Sequence, residues 1–130
     1  FSTDGSVAGT ALDKITDFGK GSDILDFGAA GIVLNVENNG TTATTDVDTT
    51  AGGLVVFATE DDTLTEKLVA IQADTELDAI NSVAFFEDSG NTYVYYAGGL
   101  TGNADDQVVE LTGVTGLTTI TITGGDLTIA

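Results

Sequence analysis

Val83-Ala84-Phe85-Phe86-Glu87-Asp88-Ser89-Gly90-Asn91-Thr92-Tyr93-Val94-Tyr95-Tyr96-Ala97 is the stretch on which the fold turns. Two runs rich in Val, Phe and Tyr flank Asp88-Ser89-Gly90-Asn91, a turn signal, so the segment predicts a β-hairpin with arms at 83–87 and 92–97. Alternation along the second arm places Tyr93 and Tyr95 on one face and Val94 and Tyr96 on the other. With Phe85 and Phe86, these tyrosines suit a core face with hydroxyls at its rim better than a sugar-stacking platform.

Outward from the hairpin, the pattern stays short and β-like. Toward the C-terminus, 107–112 (QVVELT), 118–123 (TTITIT) and 127–130 (LTIA) read as strands, the last two separated by Gly124-Gly125-Asp126. Toward the N-terminus, 54–59 (LVVFAT), 32–36 (IVLNV), 23–27 (DILDF) and 14–18 (KITDF) are further short strands. Residues 41–53 are Thr-rich and suit either a strand with an exposed face or a loop. One helix is expected over 63–73, with Leu64, Leu68 and Ile71 at helical spacing and Asp61 or Asp62 as its cap. Residues 74–79 either continue it or form a further turn. The fold class is therefore mainly β: a β-roll-like or sandwich-like domain of short strands with one helix. No linker separates two cores, so 1–130 is a single domain.

Composition supports this class. Seventeen Gly and no Pro accompany many Thr, Val and Ile, which favours strands joined by glycine turns. Hydrophobic residues make up 42% of the chain, too many for a disordered acidic tail. The chain carries 21 acids against three Lys and no Arg, a net charge of −18. Spread over roughly 6,400 Å² of surface, those charges would lie ~19 Å apart, beyond a Debye length of ~8 Å. They are not spread evenly. Glu60-Asp61-Asp62, Asp74-Glu76-Asp78, Asp105-Asp106 and Asp13-Asp17-Asp23-Asp26 are clusters, and a cation is expected near at least one of them. A solvated acidic surface is the competing explanation for any single cluster, and a turn before the next strand suits Asp105-Asp106.

Several functions are excluded or disfavoured. Nucleic acid and anionic membranes repel such a chain, and no apolar run approaches the ~18 residues of a membrane-spanning helix. Without His, Cys or Arg there is no Ser-His-Asp or Cys-His site and no arginine clamp. No Ser-x-x-Lys arrangement occurs. A paired-carboxylate glycosidase survives composition alone, but its cleft is usually lined by Trp, and there is none. The expectation is a non-catalytic domain. The chain begins at Phe1 and holds no Met, which reads as a processed or excised piece.

Gly19-Lys20-Gly21-Ser22-Asp23-Ile24-Leu25 has the form G-x-G-x-D-x-L. It suits either a plain glycine turn or one degenerate copy of the calcium nonapeptide G-G-x-G-x-D-x-U-x, with Phe18 in place of the first Gly. In such a copy, Gly lets carbonyls turn inward and the Asp carboxylate joins them on a hard cation.

The longer string Ala11-Leu12-Asp13-Lys14-Ile15-Thr16-Asp17-Phe18, followed by Gly21-Ser22-Asp23-Ile24-Leu25-Asp26-Phe27, resembles the segment after the last repeats of RTX proteins exported by type I secretion. The helix, the N-T-Y-V-Y-Y hairpin, the N-A-D-D-x-V-V-x-L-T-G-V stretch at 103–114 and the apolar 127–130 resemble the C-terminal domains of such proteins, bacterial S-layer proteins included. The tandem repeats themselves are missing. The resemblance implies that 1–27 is a remnant or cap of a calcium β-roll and 28–130 the C-terminal β-rich part. It implies Asp13, Asp17, Asp23 and Asp26 as calcium ligands, with Asp17 and Asp23 foremost because they flank the glycine turn. It further implies a secreted or cell-surface protein, with calcium ions and a type I secretion transporter as partners. Other copies in a surface layer, or a cell-surface glycan, are further candidates. The domain would cap the roll and carry or adjoin the secretion signal, Asp126–Ala130 being either part of that signal or a final strand. The rival class is a carbohydrate- or surface-binding module.

Overall fold

The computed structural model describes residues 12–37, 40, 42–103 and 105–129. Ten short strands and one helix follow one another: β1 (Asp13–Ile15), β2 (Ile24–Asp26), β3 (Val33–Leu34), β4 (Asp48–Thr49), β5 (Val55–Val56), α1 (Leu64–Ala73), β6 (Ser82–Asp88), β7 (Asn91–Ala97), β8 (Gln107–Leu111), β9 (Ile120–Thr123) and β10 (Asp126–Ile129). The strands before the helix are two or three residues long, shorter than their apolar runs suggest.

The central hairpin forms as its sequence predicts. Ser89 and Gly90 both adopt positive φ, 49° and 82°, the backbone of a two-residue turn whose twist matches the flanking strands. β6 and β7 then pair from Asp88↔Asn91 through Ser82↔Ala97. Around them grows a five-stranded sheet in the order β1-β8-β7-β6-β3, antiparallel at its centre. Both edge strands pair in parallel, β1 with β8 and β3 with β6. A second sheet, β2-β10-β9, is antiparallel throughout, and β4 and β5 make a small ribbon. Residues 13–15 and 24–26 thus share both larger sheets with strands from the far end of the chain.

Alternation assigns the two faces of the central hairpin to two different cores. Val83, Phe85, Val94 and Tyr96, with Val109 and Leu111, pack against Leu25, Ile120, Leu127 and Ile129 of the three-stranded sheet. Ala84, Phe86, Tyr93 and Tyr95 pack on the opposite side against Leu68, Ala70 and Ile71 of the helix and against Val47 and Val55. The result is a mainly β, sandwich-like fold, with the helix and the ribbon covering the sheet's outer face. The five hairpin aromatics are buried on both faces, not on one, so none offers a sugar platform. Burial on both sides explains their near-continuous apolar runs. Phe86 and Tyr93, directly opposite in register, stack at 5.1 Å, and Phe57 meets Phe86 edge-on at 5.3 Å.

The helix cap is Thr63 and not Asp61 or Asp62. Thr63 Oγ1 accepts from the Glu66 N–H at 3.3 Å, and Glu66 Oε2 accepts from the Thr63 N–H at 3.0 Å. This reciprocal box satisfies two helix-end donors, where an aspartate one or two residues earlier would satisfy none of the same pair. The helix stops at Asp74, whose extended backbone ends it, and a turn follows over 75–78.

Candidate functional site

The four aspartates singled out by the glycine-turn resemblance lie along one stretch but do not converge. Asp13 is half-buried in β1, opposite Val109. Asp17 is exposed in the bend after β1. Asp23 is exposed within the turn, where its Oδ2 accepts the Gly19 N–H at 2.8 Å while Gly19 O accepts from the N–H groups of Ser22 and Asp23. Asp26 ends β2, exposed, with its Oδ1 accepting the Gly28 N–H at 2.6 Å. No three of these carboxylates bring an oxygen each within 4.8 Å of one another. The turn also docks on the second sheet, for the Gly21 N–H donates to Ile129 O at 2.9 Å.

A tighter acidic group forms elsewhere. Glu37, Asp46 and Asp74 each place a carboxylate oxygen within 4.8 Å of the other two. Their three segments are knitted by the backbone. The Glu37 N–H donates to Thr49 Oγ1 at 2.6 Å, and the Thr49 N–H returns a bond to Glu37 O at 2.5 Å. Asn35 Nδ2 reaches Glu76 O at 3.0 Å, tying the chain after β3 to the turn beyond the helix. Asp46 sits at the foot of a tight turn closed by mutual backbone bonds with Ala43.

Asp74 is the buried anchor, 2% exposed. Its Oδ1 accepts the N–H groups of Glu76 and Leu77, both at 2.9 Å, and its Oδ2 accepts the Val47 N–H at 2.9 Å. One carboxylate thus caps the turn after the helix and fixes the segment bearing Asp46, just before β4. Three carboxylates at this spacing carry charge that mutual repulsion would otherwise separate. Their oxygens suit a hard divalent cation, which takes carboxylate ligands at about 2.3–2.6 Å when it is calcium.

The three lysines are engaged with other groups. Lys14 pairs with Glu110 at 2.8 Å, Lys67 with Asp88, and Lys20 donates to Thr115 O. In the sequence Asp74 is visible only as part of an acidic cluster, and Asp46 lies in the Thr-rich stretch. Glu37 carries no signal, because its nearness to Asp74 depends on how β3 joins the sheet.

A third acidic locus lines a pocket formed by Thr44, Glu60, Asp61, Thr65, Glu66 and Val69. Burial, then the charges of Glu66 and Glu60, raises the Asp61 carboxyl above its ordinary range. Glu66 is lowered instead by the hydrogen bonds it receives from Thr63. Compared with known families and with curated proteins, the chain matches no family model and no curated sequence.

Proposed function

We propose that this chain is a non-catalytic, calcium-stabilised domain of a type I secreted, RTX-like surface protein, working as a structural cap and not as an enzyme. The observation that carries the proposal is the Glu37–Asp46–Asp74 group, whose oxygens lie within 4.8 Å of one another in a chain of net charge −18. A cation there would join the segment after β3, the approach to β4 and the end of the helix. The RTX-like glycine turn around Asp23 supports the same chemistry, and the burial of the hairpin aromatics weighs against a glycan-binding module.

The physical role follows from linkage. At low calcium, clustered carboxylates oppose the folded state. At millimolar calcium the ion binds the folded chain and shifts the equilibrium by mass action. Such a domain would stay threadable for a type I transporter inside the cell and set once outside, beside other copies in a surface layer such as an S-layer, or in an adhesin.

Calorimetric titration with calcium and with magnesium tests this directly, alongside melting curves in chelator and in millimolar calcium at fixed ionic strength. Calcium at about 100 times its dissociation constant should add roughly 2.7 kcal/mol per site, with magnesium adding much less. Identical melting curves in chelator and in calcium overturn the proposal, as does an equal response to both ions.

A further inference from the structure

The pocket between the tight turn before β4 and the start of the helix has a volume of about 260 Å³ and is lined by Thr44, Glu60, Asp61, Thr65, Glu66 and Val69. The Glu37–Asp46–Asp74 group does not use it, although Thr44 lies in the turn that closes at Asp46. Five of the six lining residues are exposed. Asp61 alone is buried, 4% exposed, so it forms the inner end of the pocket and the others form its rim. Asp61 Oδ2 is shielded from solvent and has no hydrogen-bond partner among the described residues.

Local backbone and side-chain bonds hold the rim but leave the inner end unsatisfied. The Asp61 N–H donates to Ala58 O at 3.2 Å, which fixes the turn before the helix. Glu66 Oε2 is committed to the Thr63 N–H and hydroxyl of the capping box. Glu60 Oε2 accepts the Thr59 hydroxyl at 3.2 Å. No such bond compensates Asp61 Oδ2. Burial, then the charges of Glu66 and Glu60, oppose its ionisation, so the two rim carboxylates bear on the inner one. A bound cation would relieve all three effects.

A buried carboxylate oxygen without a donor is costly, and the chain's three lysines are engaged with other groups. We propose that this pocket binds the guanidinium of an arginine side chain from another, basic polypeptide. Asp61 would take the head group, with Glu60 and Glu66 at the rim. The three carboxylates do not bring an oxygen each within 4.8 Å of one another, too dispersed for one small metal ion to gather. A guanidinium presents five N–H donors in a planar fork and reaches acceptors that stand apart. It is also more weakly hydrated than an ammonium, so it enters a partly apolar pocket at lower cost. Val69, 53% exposed on the rim, offers apolar surface to the arginine stem. The volume falls below the roughly 300–1,000 Å³ of pockets for drug-sized ligands, which suits one side chain. The chain contains no Arg, so a second copy of these residues cannot supply the ligand, and a net charge of −18 steers a basic partner toward it. This site stands or falls apart from calcium binding at Glu37, Asp46 and Asp74.

The probes are the capped tripeptide acetyl-Gly-Arg-Gly-amide and its lysine counterpart, titrated into the intact chain at millimolar calcium and fixed ionic strength. Amide chemical shifts read the binding. The arginine peptide should move the amides of Thr44, Asp61, Thr65 and Val69 along one saturating curve. The lysine peptide should bind about fivefold more weakly or worse. Asp61→Asn should weaken the arginine peptide roughly tenfold or more, whereas Asp46→Asn should leave it within about twofold, because Asp46 does not line the pocket. Without peptide, Asp61→Asn should melt at or above the parent, since an uncompensated buried charge has been removed. Thr65→Arg, which fills the rim from an exposed helix position, should abolish peptide binding and serves as the deciding variant if Asp61→Asn melts lower. Shifts scattered over exposed Asp17, Asp23 and Asp26 overturn the proposal, as do equal losses in Asp61→Asn and Asp46→Asn. Equal affinity for the two peptides overturns it too, as does Thr65→Arg binding like the parent.

Discussion

Lys67 on the helix and Asp88 at the end of β6 form an ion pair at 2.5 Å, both side chains largely buried. Among the described residues it is the one ion pair between the helix and the central hairpin, and it lies beside Phe57, whose ring centroid is 5.8 Å from the ammonium. Burial acts against the Asp88 carboxylate, but hydrogen bonds from Lys67 and Ser89 and the Lys67 charge outweigh it and lower its pKa. A carboxylate lowered in the folded state adds stability above its unfolded pKa of about 3.9, and that stability is lost as pH falls through the folded value. Asp88→Asn should cost about 1–2 kcal/mol at neutral pH, between the values for exposed and for fully buried pairs. It should also flatten the stability profile below pH about 4. Urea melts of parent and variant at neutral pH and at pH about 3 would check both parts.

A second relationship carries the opposite sign. Asp26 and Asp126 are directly opposite in the β2–β10 ladder, and like charges in that position destabilise a sheet. Asp126→Asn should therefore raise the melting temperature in chelator at low salt, by the equivalent of roughly 0.5 kcal/mol. Added salt should shrink the gain. A variant that gains nothing in chelator and loses its response to calcium would instead make the Asp26–Asp126 pair a ligand set.

An asparagine scan separates the two accounts of where calcium binds. The glycine-turn resemblance favours Asp17 and Asp23, whereas the geometry brings Asp46 and Asp74 together with Glu37. Asp46→Asn should weaken calcium binding more than Asp17→Asn, because Asp17 is exposed and stands outside the close group. Asp74→Asn should weaken it as well, at an added cost in stability, since Asp74 also accepts three backbone N–H groups. Calcium titration of the four variants, Asp23→Asn included, would read this directly.

β10 constrains any test of export. It is the central strand of its sheet, between β2 and β9, and Leu127 and Ile129 are fully buried. Deleting Asp126–Ile129 should therefore prevent folding in calcium as well as in chelator, as circular dichroism would show. A role for this segment as a secretion signal is better tested at partly exposed Thr128, where substitution should leave melting almost unchanged. Reduced export of a Thr128→Lys fusion with normal melting would support a signal function.

Local chemistry made parts of this fold legible. The Asp88–Asn91 turn and the alternation of Tyr93 to Tyr96 located the hairpin and sorted its side chains to the correct faces. The helix was legible from Leu64, Leu68 and Ile71, yet its cap was misplaced, although Thr63-x-x-Glu66 spells a capping box. The pairings of β1 with β8 and β3 with β6 were not legible, because two- or three-residue strands do not encode partners far along the chain. The same distance hid the acidic group. Asp74 was visible within a cluster, but neither spacing nor composition says that Glu37 reaches Asp74.

The parallel edge strands and the β2–β10 pairing also bear on the order in which this chain can acquire structure. Asp13 meets Val109 and Leu25 meets Leu127, so these ladders close loops of roughly a hundred residues, the high contact order that slows folding. During synthesis the early strands must wait, unpaired, until the second half of the chain emerges. The β6–β7 and β9–β10 hairpins, the β4–β5 ribbon and the helix are local enough to form first, and the β6–β7 hairpin, with the longest ladder and the helix behind it, is the best nucleus among them. Hairpin substitutions at Phe86 or Tyr93 should thus slow folding, while changes confined to β1 or β2 should chiefly speed unfolding.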